Sequence, residues 1–290
     1  MRRVEGERWT RPRVGLALSG GAARGAAHVG VLRALLAQGI PIDCVAGTSA
    51  GALVGGAFAA GVPIADLAAH ARTMRWRDFG KMTFSRLGVQ SNARMEEYVR
   101  ARFPRTRFEE LPIPFAAVAT DLHTGAAVVL KEGDVAFAVR ASCAIPGWYV
   151  PVVDERGRQL VDGGLVANIP VAAARALGAD IVVAVDVNQE GAKFMGPPLS
   201  AIGVLLQSFI VVQRAASAHQ LREAEVVIAP PVGHIRWDEM TRADELIAAG
   251  EEAAAAAVEQ LRGLLAPPPD AAQPSWLQRL LGRPAQPRRA

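Results

Sequence analysis

Residues 42–61 read IDCVAGTSAGALVGGAFAAG, and this stretch decides the fold. It begins with an apolar run of strand length, turns sharply at Gly47 to Gly51, and continues as small residues of helix length. The same pattern occurs earlier, where VGLAL at 14–18 precedes a glycine loop and then apolar residues at helical spacing over 24–38. Two successive strand-turn-helix units predict a parallel sheet with helices on its faces.

The rest of the chain continues this alternation, and residues 75–91 read as an irregular segment without a clean period. Further strands are predicted at 115–119, 126–130, 159–161, 181–187 and 225–229. Further helices are predicted at 63–74, 92–102, 134–141, 170–177, 200–222 and 241–262. We therefore expect one α/β domain over 14–262, between a flexible basic segment at 1–13 and a flexible tail rich in Pro and Arg at 263–290.

The composition narrows the class of protein. With 51% apolar and 21% charged residues, the chain can build one large domain with a sizeable core. Three lysines and two tyrosines argue against the clustered basic and aromatic surface of a nucleic-acid-binding protein, although the formal net charge is +4. Cys44 and Cys143 each lie in an apolar stretch, which predicts buried, reduced thiols.

The sequence carries only weak signals for insertion into a membrane or for export. The first 13 residues, MRRVEGERWTRPR, are not followed by the apolar run of a secretory leader. The longest uncharged run, Cys44 to Ala65, is rich in Gly and Ala and contains Pro63, so a buried strand, turn and helix explains it better than a membrane span. We expect a cytoplasmic protein whose contact with membranes, if any, is peripheral.

The segment Gly47-Thr48-Ser49-Ala50-Gly51 matches the G-x-S-x-G pattern of a nucleophile elbow, in the strand-to-helix setting that this motif requires. Glycines two residues on either side of the serine remove Cβ atoms that would clash in so sharp a turn. The serine hydroxyl is then exposed at the start of a helix, whose dipole stabilises developing negative charge. Ser49 is the candidate nucleophile, with a plain packing turn as the alternative.

A second glycine-rich loop follows the first predicted strand. It consists of Gly20, Gly21, Ala22, Ala23, Arg24 and Gly25. Successive backbone amides in such a loop, placed before a helix, point toward an anion, and an oxyanion hole is built from such donors. A dinucleotide or phosphate loop is the alternative, but Ala22 occupies the middle glycine position of G-x-G-x-x-G and no G-K-[ST] ending follows.

The third signal is Asp162-Gly163-Gly164, which follows the apolar pair Leu160 and Val161 at a predicted strand end. Glycines beside an aspartate let the backbone bend so that the carboxylate faces a pocket. Taken alone, Asp-Gly-Gly is typical of a plain turn. Its significance comes from the other two motifs.

The three motifs, in this order, resemble those of the patatin-like phospholipases. The resemblance covers residues 14–262 and extends to four longer stretches. These are LRALLAQGIPIDCVAGTSAGALVGG at 32–56, ATDLHTG at 119–125, VRASCAIPGWYVPV at 139–152 and LVDGGLVANIPV at 160–171. The resemblance implies an α/β fold with three αβα layers around a mainly parallel central sheet.

The resemblance also implies a catalytic dyad of Ser49 and Asp162 that needs no metal and no organic cofactor. Backbone amides around Gly21, Ala22 and Ala23 would hold the oxyanion, with Arg24 supporting the loop. The family often has glycine where this chain has Ala22. The amide is retained there, so the oxyanion hole should survive if the backbone angle suits a Cβ.

The implied substrate is an acyl ester in a lipid, and phospholipids, lysophospholipids and acylglycerols all remain open. Residues 75–90, with Trp148 and Tyr149, are expected to border an apolar cleft leading to Ser49. The alternative function is a non-hydrolytic lipid-binding or regulatory protein that keeps the same fold.

Histidine is the competing base. His28 lies on the first helix and is expected to make a local structural hydrogen bond. The chain order of an ordinary α/β-hydrolase would make His219 or His234 a triad histidine, but the HGGG-type loop of those enzymes is missing. Asn168 either shapes the Asp162 loop, as the resemblance implies, or caps the following helix.

Overall fold

A computed structural model describes residues 10–188 and 197–268. The alternation of strands and helices predicted from the sequence is present throughout this part of the chain. The strands are β1 Val14–Leu18, β2 Cys44–Thr48, β3 Lys81–Met82, β4 Gly88–Ser91, β5 Phe115–Asp121, β6 Ala127–Leu130, β7 Gly147–Tyr149, β8 Val152–Val153, β9 Gln159–Asp162, β10 Ile181–Val185 and β11 Val226–Ile228. The α-helices are α1 Ala26–Ala37, α2 Ala50–Ala59, α3 Ile64–Thr73, α4 Arg94–Arg102, α5 Val135–Ser142, α6 Val171–Ala176, α7 Ala201–Gln220 and α8 Ala243–Leu265.

Eight strands form the central sheet, in which hydrogen-bonded neighbours follow the order β11-β10-β1-β2-β5-β9-β8 and β6 pairs with β5. The strands from β11 to β5 are parallel to one another, whereas β6, β8 and β9 add antiparallel pairs. Alternate side chains of β10 enter different apolar clusters: Val183 packs with α1 and α8, and Val182 packs with α6. Because both faces of the sheet are covered by helices, the predicted three-layer α/β architecture is confirmed.

The segment predicted to be irregular contains regular structure, so that prediction is wrong. Within it, β3 and β4 form an antiparallel pair, and β4 also pairs in parallel with β7, which gives a second, three-stranded sheet. Strands of two to four residues are too short to show an alternating pattern. Only their pairing with one another, and of β4 with the distant β7, defines them.

The predicted terminal segments, 1–13 and 263–290, lie mostly outside the described residues, which exclude 1–9 and 269–290. Arg11 forms an ion pair with Asp43 at 2.6 Å, and the amide of Arg13 donates to Asp180 at 2.8 Å, so residues 10–13 belong to the domain. At the other end, α8 continues to Leu265, three residues beyond its predicted end at 262.

The uncharged run from Cys44 to Ala65 forms β2 and α2, most of which is buried, as expected. A different helix is apolar and exposed. Within the described part of the chain, only α7, with the turn that extends it to Glu223, is long and apolar enough to cross a membrane by length and composition. Its buried side chains are Gln213 and Ser217, whereas most of its apolar side chains are at least partly accessible.

Helices α1 and α8 cross with their backbones almost in contact. A Cβ at Gly30 would lie 1.9 Å from the carbonyl oxygen of Ile247, and a Cβ at Gly250 would lie 2.0 Å from that of Ala27. No side-chain rotation relieves such contacts, because the obstructing atoms belong to the backbone. The two glycines therefore set the distance between these helices.

This crossing predicts opposite effects for two glycine-to-alanine substitutions. Gly30→Ala should lower the free energy of unfolding by about 1–3 kcal/mol, because the helices must move apart. Gly263→Ala in α8, where a Cβ meets nothing within 4 Å, should raise it by about 0.5–1 kcal/mol. Urea unfolding followed by circular dichroism measures both, and equal effects would contradict the close crossing.

Candidate active site

Ser49 lies between the end of β2 and the start of α2, in the sharp turn that the sequence predicts. Its φ of 53° and ψ of −119° place a non-glycine residue in a sparsely populated conformation, at a cost of about 1–3 kcal/mol. The two ends of the turn approach each other closely, because a Cβ at Gly47 would lie 2.3 Å from the carbonyl oxygen of Gly51. The Ser49 amide donates to the Ser142 hydroxyl at 2.8 Å, and this hydroxyl donates to the Val118 carbonyl at 2.6 Å.

The pairing of β5 explains how Asp162 reaches Ser49. Val118 pairs with Thr48 of β2 and, on its other side, with β6, while Ala119 pairs with Asp162 of β9 and also with β6. Since a strand has only two hydrogen-bonding edges, β2 and β9 share the edge opposite β6. They run toward each other and end at consecutive positions of β5. The residues at the two ends, Ser49 and Asp162, are therefore brought together.

Asp162 is almost completely buried, with 1% of its surface exposed. Burial raises the pKa of its carboxyl group to about 6, while hydrogen bonding from the Ser49 side chain and the Gly164 amide lowers it in part. The Gly164 amide donates to Oδ1 at 2.8 Å, and the Thr120 hydroxyl donates to the Asp162 main-chain carbonyl at 2.9 Å. The carboxylate is thus fixed in place and has few groups that stabilise its charge.

The glycine-rich loop runs from the end of β1 into a short 3-10 helix, Ala22–Gly25, that leads into α1. Ala22 has a φ of 51°, in the left-handed region that favours glycine. The structure thus accommodates the Cβ of Ala22 in a conformation that costs a residue with a side chain roughly 1–2 kcal/mol. Ala22 and Ser49 are the described non-glycine residues with positive φ, and both line the same two cavities.

The hydrogen bonds of this loop narrow the predicted set of oxyanion donors. The Gly20 amide donates to Asn168, and the Ala23 amide donates to the Trp237 carbonyl at 2.8 Å, so neither is free for an oxyanion in this structure. The Arg24 amide donates to the Gly21 carbonyl at 3.1 Å. Among the residues that the structure describes, the amides of Gly21 and Ala22 make no hydrogen bond.

Arg24 braces the loop with its side chain, which is 6% exposed. Its guanidinium donates to the Ile235 carbonyl at 2.7 Å and to Asn188 Oδ1 at 3.2 Å. Asn188 in turn donates from Nδ2 to the Gly20 carbonyl at 2.6 Å. These contacts tie the loop to segments more than 160 residues away, so Arg24 holds the loop in position.

Asn168 is a second brace rather than a helix cap. It is fully buried, accepts from the Gly20 amide at 3.1 Å and donates to the Ser217 hydroxyl at 2.9 Å. Helix α6 begins only after Pro170, which occupies the cap position. Asn168 therefore links the glycine-rich loop, the Asp162 loop and α7.

Two cavities meet at Ser49. The first is almost entirely apolar. Its walls come from α2, α3, α4 and the second sheet. Trp76, Phe79 and Tyr149 line it, as expected for the segment 75–90 and for Tyr149, whereas Trp148 does not line it. The second cavity contains Asp162 and the polar side chains of Arg24, Asn188 and Gln213, with Leu206, Phe209 and Ile210 of α7 as its apolar wall.

The three histidines considered as competing bases, His28, His219 and His234, lie elsewhere or serve the fold, whereas His70 of α3 lines the apolar cavity. His28 Nε2 bonds to the Ser19 carbonyl at 2.9 Å, and burial lowers the pKa of the ring to about 4, so its predicted structural role is confirmed. His234 bonds to Glu245 at 2.7 Å, and His219 lies 3.7 Å from Glu223; both are exposed. Neither lines a cavity that contains Ser49, which removes the support for a triad.

Cys143 is buried beside the site, as the sequence predicts. It lines the apolar cavity with Ser49. Burial raises the pKa of its thiol well above the usual value, and the nearby Asp162 charge raises it further. The thiol therefore stays protonated at neutral pH, which makes it a poor nucleophile.

Four residues of the site were missed by the sequence analysis: Ser142, Asn188, Gln213 and Trp237. Ser142 lies in the segment VRASCAIPGWYVPV that carries part of the family resemblance, which is the one available signal. The other three come from distant loops or from α7 and have no local motif. Within 10–188 and 197–268, no group of three or more His, Cys, Asp or Glu side chains is placed to hold a metal ion.

A family model described as patatin-like phospholipase matches residues 16–175. An uncharacterised NTE family protein of Mycobacterium tuberculosis is 41% identical over 181 residues, which is 61% of this chain and 49% of that protein. The lysophospholipase NTE1 of Mycosarcoma maydis is 37% identical over 202 residues, or 67% of this chain and 11% of that protein. The chain thus spans about half or less of the length of these relatives.

Two solved structures share the fold. VipD from Legionella pneumophila superposes with a TM-score of 0.52 at 15% identity, over 89% of this chain and 68% of that one. ExoU from Pseudomonas aeruginosa, solved in complex with SpcU, gives a TM-score of 0.52 at 15% identity, over 87% of this chain and 53% of that one. At this level of identity the similarity concerns the fold alone. The extent of the family match and the three motifs in their structural setting establish that the chain belongs to the patatin-like phospholipase family.

Proposed function

We propose that this protein hydrolyses acyl esters of lipids, with Ser49 as nucleophile and Asp162 as general base. The observation that carries the proposal is that the Ser49 hydroxyl bonds to the buried Asp162 carboxylate in a cavity also lined by Gly21 and Ala22, whose amides have no partner among the described residues. The membership of the family and a relative named as a lysophospholipase support a lipid ester as the substrate.

The reaction proceeds in two acyl transfers. Ser49 Oγ forms a bond to the ester carbonyl carbon while its proton passes to Asp162, and the carbonyl oxygen becomes an oxyanion. The bond to the leaving alcohol then breaks, and Asp162 returns the proton to that alcohol. Water then attacks the carbonyl carbon of acyl-Ser49 and gives a proton to Asp162. The bond to Ser49 Oγ breaks, Asp162 returns the proton to Oγ, and the fatty acid is released.

The site compensates for the weak basicity of a carboxylate in two ways. Burial raises the pKa of Asp162 to about 6, which brings its proton affinity closer to that of a histidine while leaving most of it ionised at neutral pH. The amides of Gly21 and Ala22, which line the cavity with Ser49 and form no hydrogen bond to a described residue, are the donors assigned to the oxyanion. Each such donor contributes roughly 3–4 kcal/mol to transition-state stabilisation in measured cases.

The two cavities suggest how the substrate is placed. The apolar cavity takes the acyl chain, because its lining offers methyl, methylene and aromatic surface. The second cavity takes the alcohol portion, for which Arg24, Asn188 and Gln213 offer polar contacts. Ser49 and Ala22 line both cavities, so the scissile carbonyl lies at their junction.

The pH dependence of catalysis follows from the base. Since Asp162 must be ionised to accept the proton, kcat/KM for a water-soluble short-chain ester should rise as the pH passes through about 6 and then level off. The measurement is a pH profile, with circular dichroism at each pH to verify folding. A rate that is already at its plateau at pH 5, in folded protein, would contradict Asp162 as a base with a raised pKa.

Substitution of the dyad tests the mechanism directly. Asp162→Asn keeps the shape of the side chain but removes the proton acceptor, so kcat should fall by roughly three or more powers of ten. Ser49→Ala should fall to a similar floor, and the double variant little further, because the two residues act as one unit. His219→Asn and His234→Asn serve as matched controls with near-normal rates. If Asp162→Asn stayed active and a histidine variant did not, a triad would replace the dyad.

The same carboxylate should destabilise the fold at neutral pH. Because the pKa of Asp162 is raised when the protein is folded, the protonated carboxyl group contributes its full stabilisation below the unfolded pKa of 3.8. This stabilisation is lost as the pH rises through about 6 and the group ionises. Asp162→Asn should therefore be more stable than the parent at pH 8, by roughly 2–3 kcal/mol, with the difference disappearing near pH 4.

Urea unfolding at the two pH values measures this difference. Asp154 provides the matched control: hydrogen bonds from Arg158 outweigh burial and lower the pKa of its carboxyl group, so Asp154→Asn should destabilise at pH 8. If Asp162→Asn destabilised as much as Asp154→Asn, the Asp162 carboxylate would be stabilised by its surroundings rather than desolvated.

A further inference from the structure

We infer that this protein docks on anionic phospholipid bilayers through one apolar surface, which we call the apolar platform. The platform consists of the outer side chains of the β3–β4 hairpin, of α7 and of Leu199 just before that helix. Its members are Met82, Phe84, Leu87, Leu199, Val204, Leu205, Val211 and Val212. This inference goes beyond the proposed hydrolysis, because docking needs no functional Ser49.

All eight side chains of the platform are strongly exposed. Phe84 at the hairpin tip is fully exposed, Leu199 is 96% exposed and Met82 is 69% exposed. Eight large apolar side chains, each at least 48% exposed and gathered on neighbouring segments, exceed the scattered apolar residues that any soluble surface carries. Such a patch indicates an interaction surface.

The two elements form one continuous surface. Gly88, at the start of β4, pairs with Gly147 of β7, so the hairpin tip lies just beyond Gly147. A Cβ built at Gly147 would lie 3.4 Å from Ile202 Cδ1 and 3.7 Å from Leu205 Cδ1, which places the first turns of α7 beside the same strand. A shallow apolar groove lined by Gly147, Leu205 and Val212 lies between β7, the partner strand of β4, and α7.

The charges on these elements select the partner. Residues 79–91 carry Lys81 and Arg86, residues 197–221 carry Arg214, and neither stretch contains Asp or Glu. Lys81, Arg86 and Arg214 are exposed, and the first two form no ion pair with any residue in 10–188 or 197–268. Exposed apolar side chains with only positive charges among them match the interface of an anionic bilayer, where apolar groups insert and cations contact the head groups.

The inner face of α7 shows why the helix lies on the bilayer and does not cross it. Asn168 donates to the Ser217 hydroxyl, and Gln220 donates to the Val166 carbonyl at 2.8 Å and accepts from the Ile169 amide at 2.8 Å. These bonds fasten the helix to the loop that follows Asp162. A spanning helix would break them and leave their partners unsatisfied within the protein.

The same helix connects the platform to the site. Its residues Leu206, Phe209 and Ile210 form a wall of the second cavity, one helical face away from Val204, Leu205, Val211 and Val212. One apolar face of α7 contacts the substrate cavity, and the other contacts lipid. Docking therefore places the Ser49 cavity one helix diameter from the bilayer.

Vesicle sedimentation of the full-length Ser49→Ala protein tests the platform without hydrolysis of the lipid. The protein should bind vesicles of phosphatidylcholine with about one third phosphatidylglycerol, bind pure phosphatidylcholine much more weakly, and bind several-fold less at about 0.5 M salt. Phe84→Asp and Leu205→Asp should each reduce partitioning roughly tenfold or more, and Lys81→Ala with Arg86→Ala should reduce only the preference for the anionic lipid.

Leu264→Asp is the matched control. Leu264 is an exposed apolar residue near the end of α8. Its neighbour Arg262 bonds to Gln38, just beyond the end of α1, so Leu264 lies at the end of the sheet opposite Ser49. This variant should bind as the parent does, and thermal melting should verify that every variant is folded.

Three results would overturn the inference. The first is equal binding by Phe84→Asp, Leu205→Asp and the parent. The second is a dimer in size-exclusion chromatography that dissociates on Phe84→Asp, because the platform would then be an interface between copies. The third is loss of binding on removal of residues 269–290 while both aspartate variants still bind, which would assign the contact to the tail.

Discussion

The site depends on one register, that of β5 against the two strands that share one of its edges. β2 ends opposite Val118, and β9, running the other way, ends opposite Ala119. Ser49, the proposed nucleophile, follows the end of β2, and Asp162, the proposed base, ends β9, so the two residues meet where these strands run head to head. Val118 also helps to position Ser49, because its carbonyl accepts from the Ser142 hydroxyl, which in turn accepts from the Ser49 amide. A shift of β9 by one residue would turn the Asp162 side chain to the opposite face of the sheet.

The site is held in an unfavourable state by the stability of its surroundings. Ser49 and Ala22 occupy positive φ, and Asp162 keeps a carboxylate in a buried position that raises its pKa. Each of these features costs free energy of folding, and together they amount to several kcal/mol. The opposing contribution comes from the well-packed sheet and from braces such as Arg24 and Asn168. The strained groups of the site can therefore persist because the structure around them is rigid.

Helix α7 plays two roles because both of its faces are apolar. Its inner face closes the second cavity and is fixed by bonds between Gln213 and Asn188, between Ser217 and Asn168 and between Gln220 and the loop after Asp162. Its outer face, together with the β3–β4 hairpin, leaves large apolar side chains in solvent. A helix that is apolar all round is normally buried or lipid-facing, and this one is packed against the protein on one side only. The inferred docking on lipid accounts for the second side.

The sequence by itself determined the alternation of strands and helices, the elbow at Ser49 and the glycine-rich loop, because these depend on local periodicity and on backbone conformations that only particular residues permit. It also indicated Asp162, through a local Asp-Gly-Gly motif that gained its meaning from the family resemblance. Only the tertiary structure decided which amides are free, since the Ala23 amide is taken by the carbonyl of Trp237. The pKa of Asp162, the second sheet and the exposure of α7 were decided at the same level. Each depends on contacts between residues far apart in the chain, and no local pattern of side chains specifies such contacts.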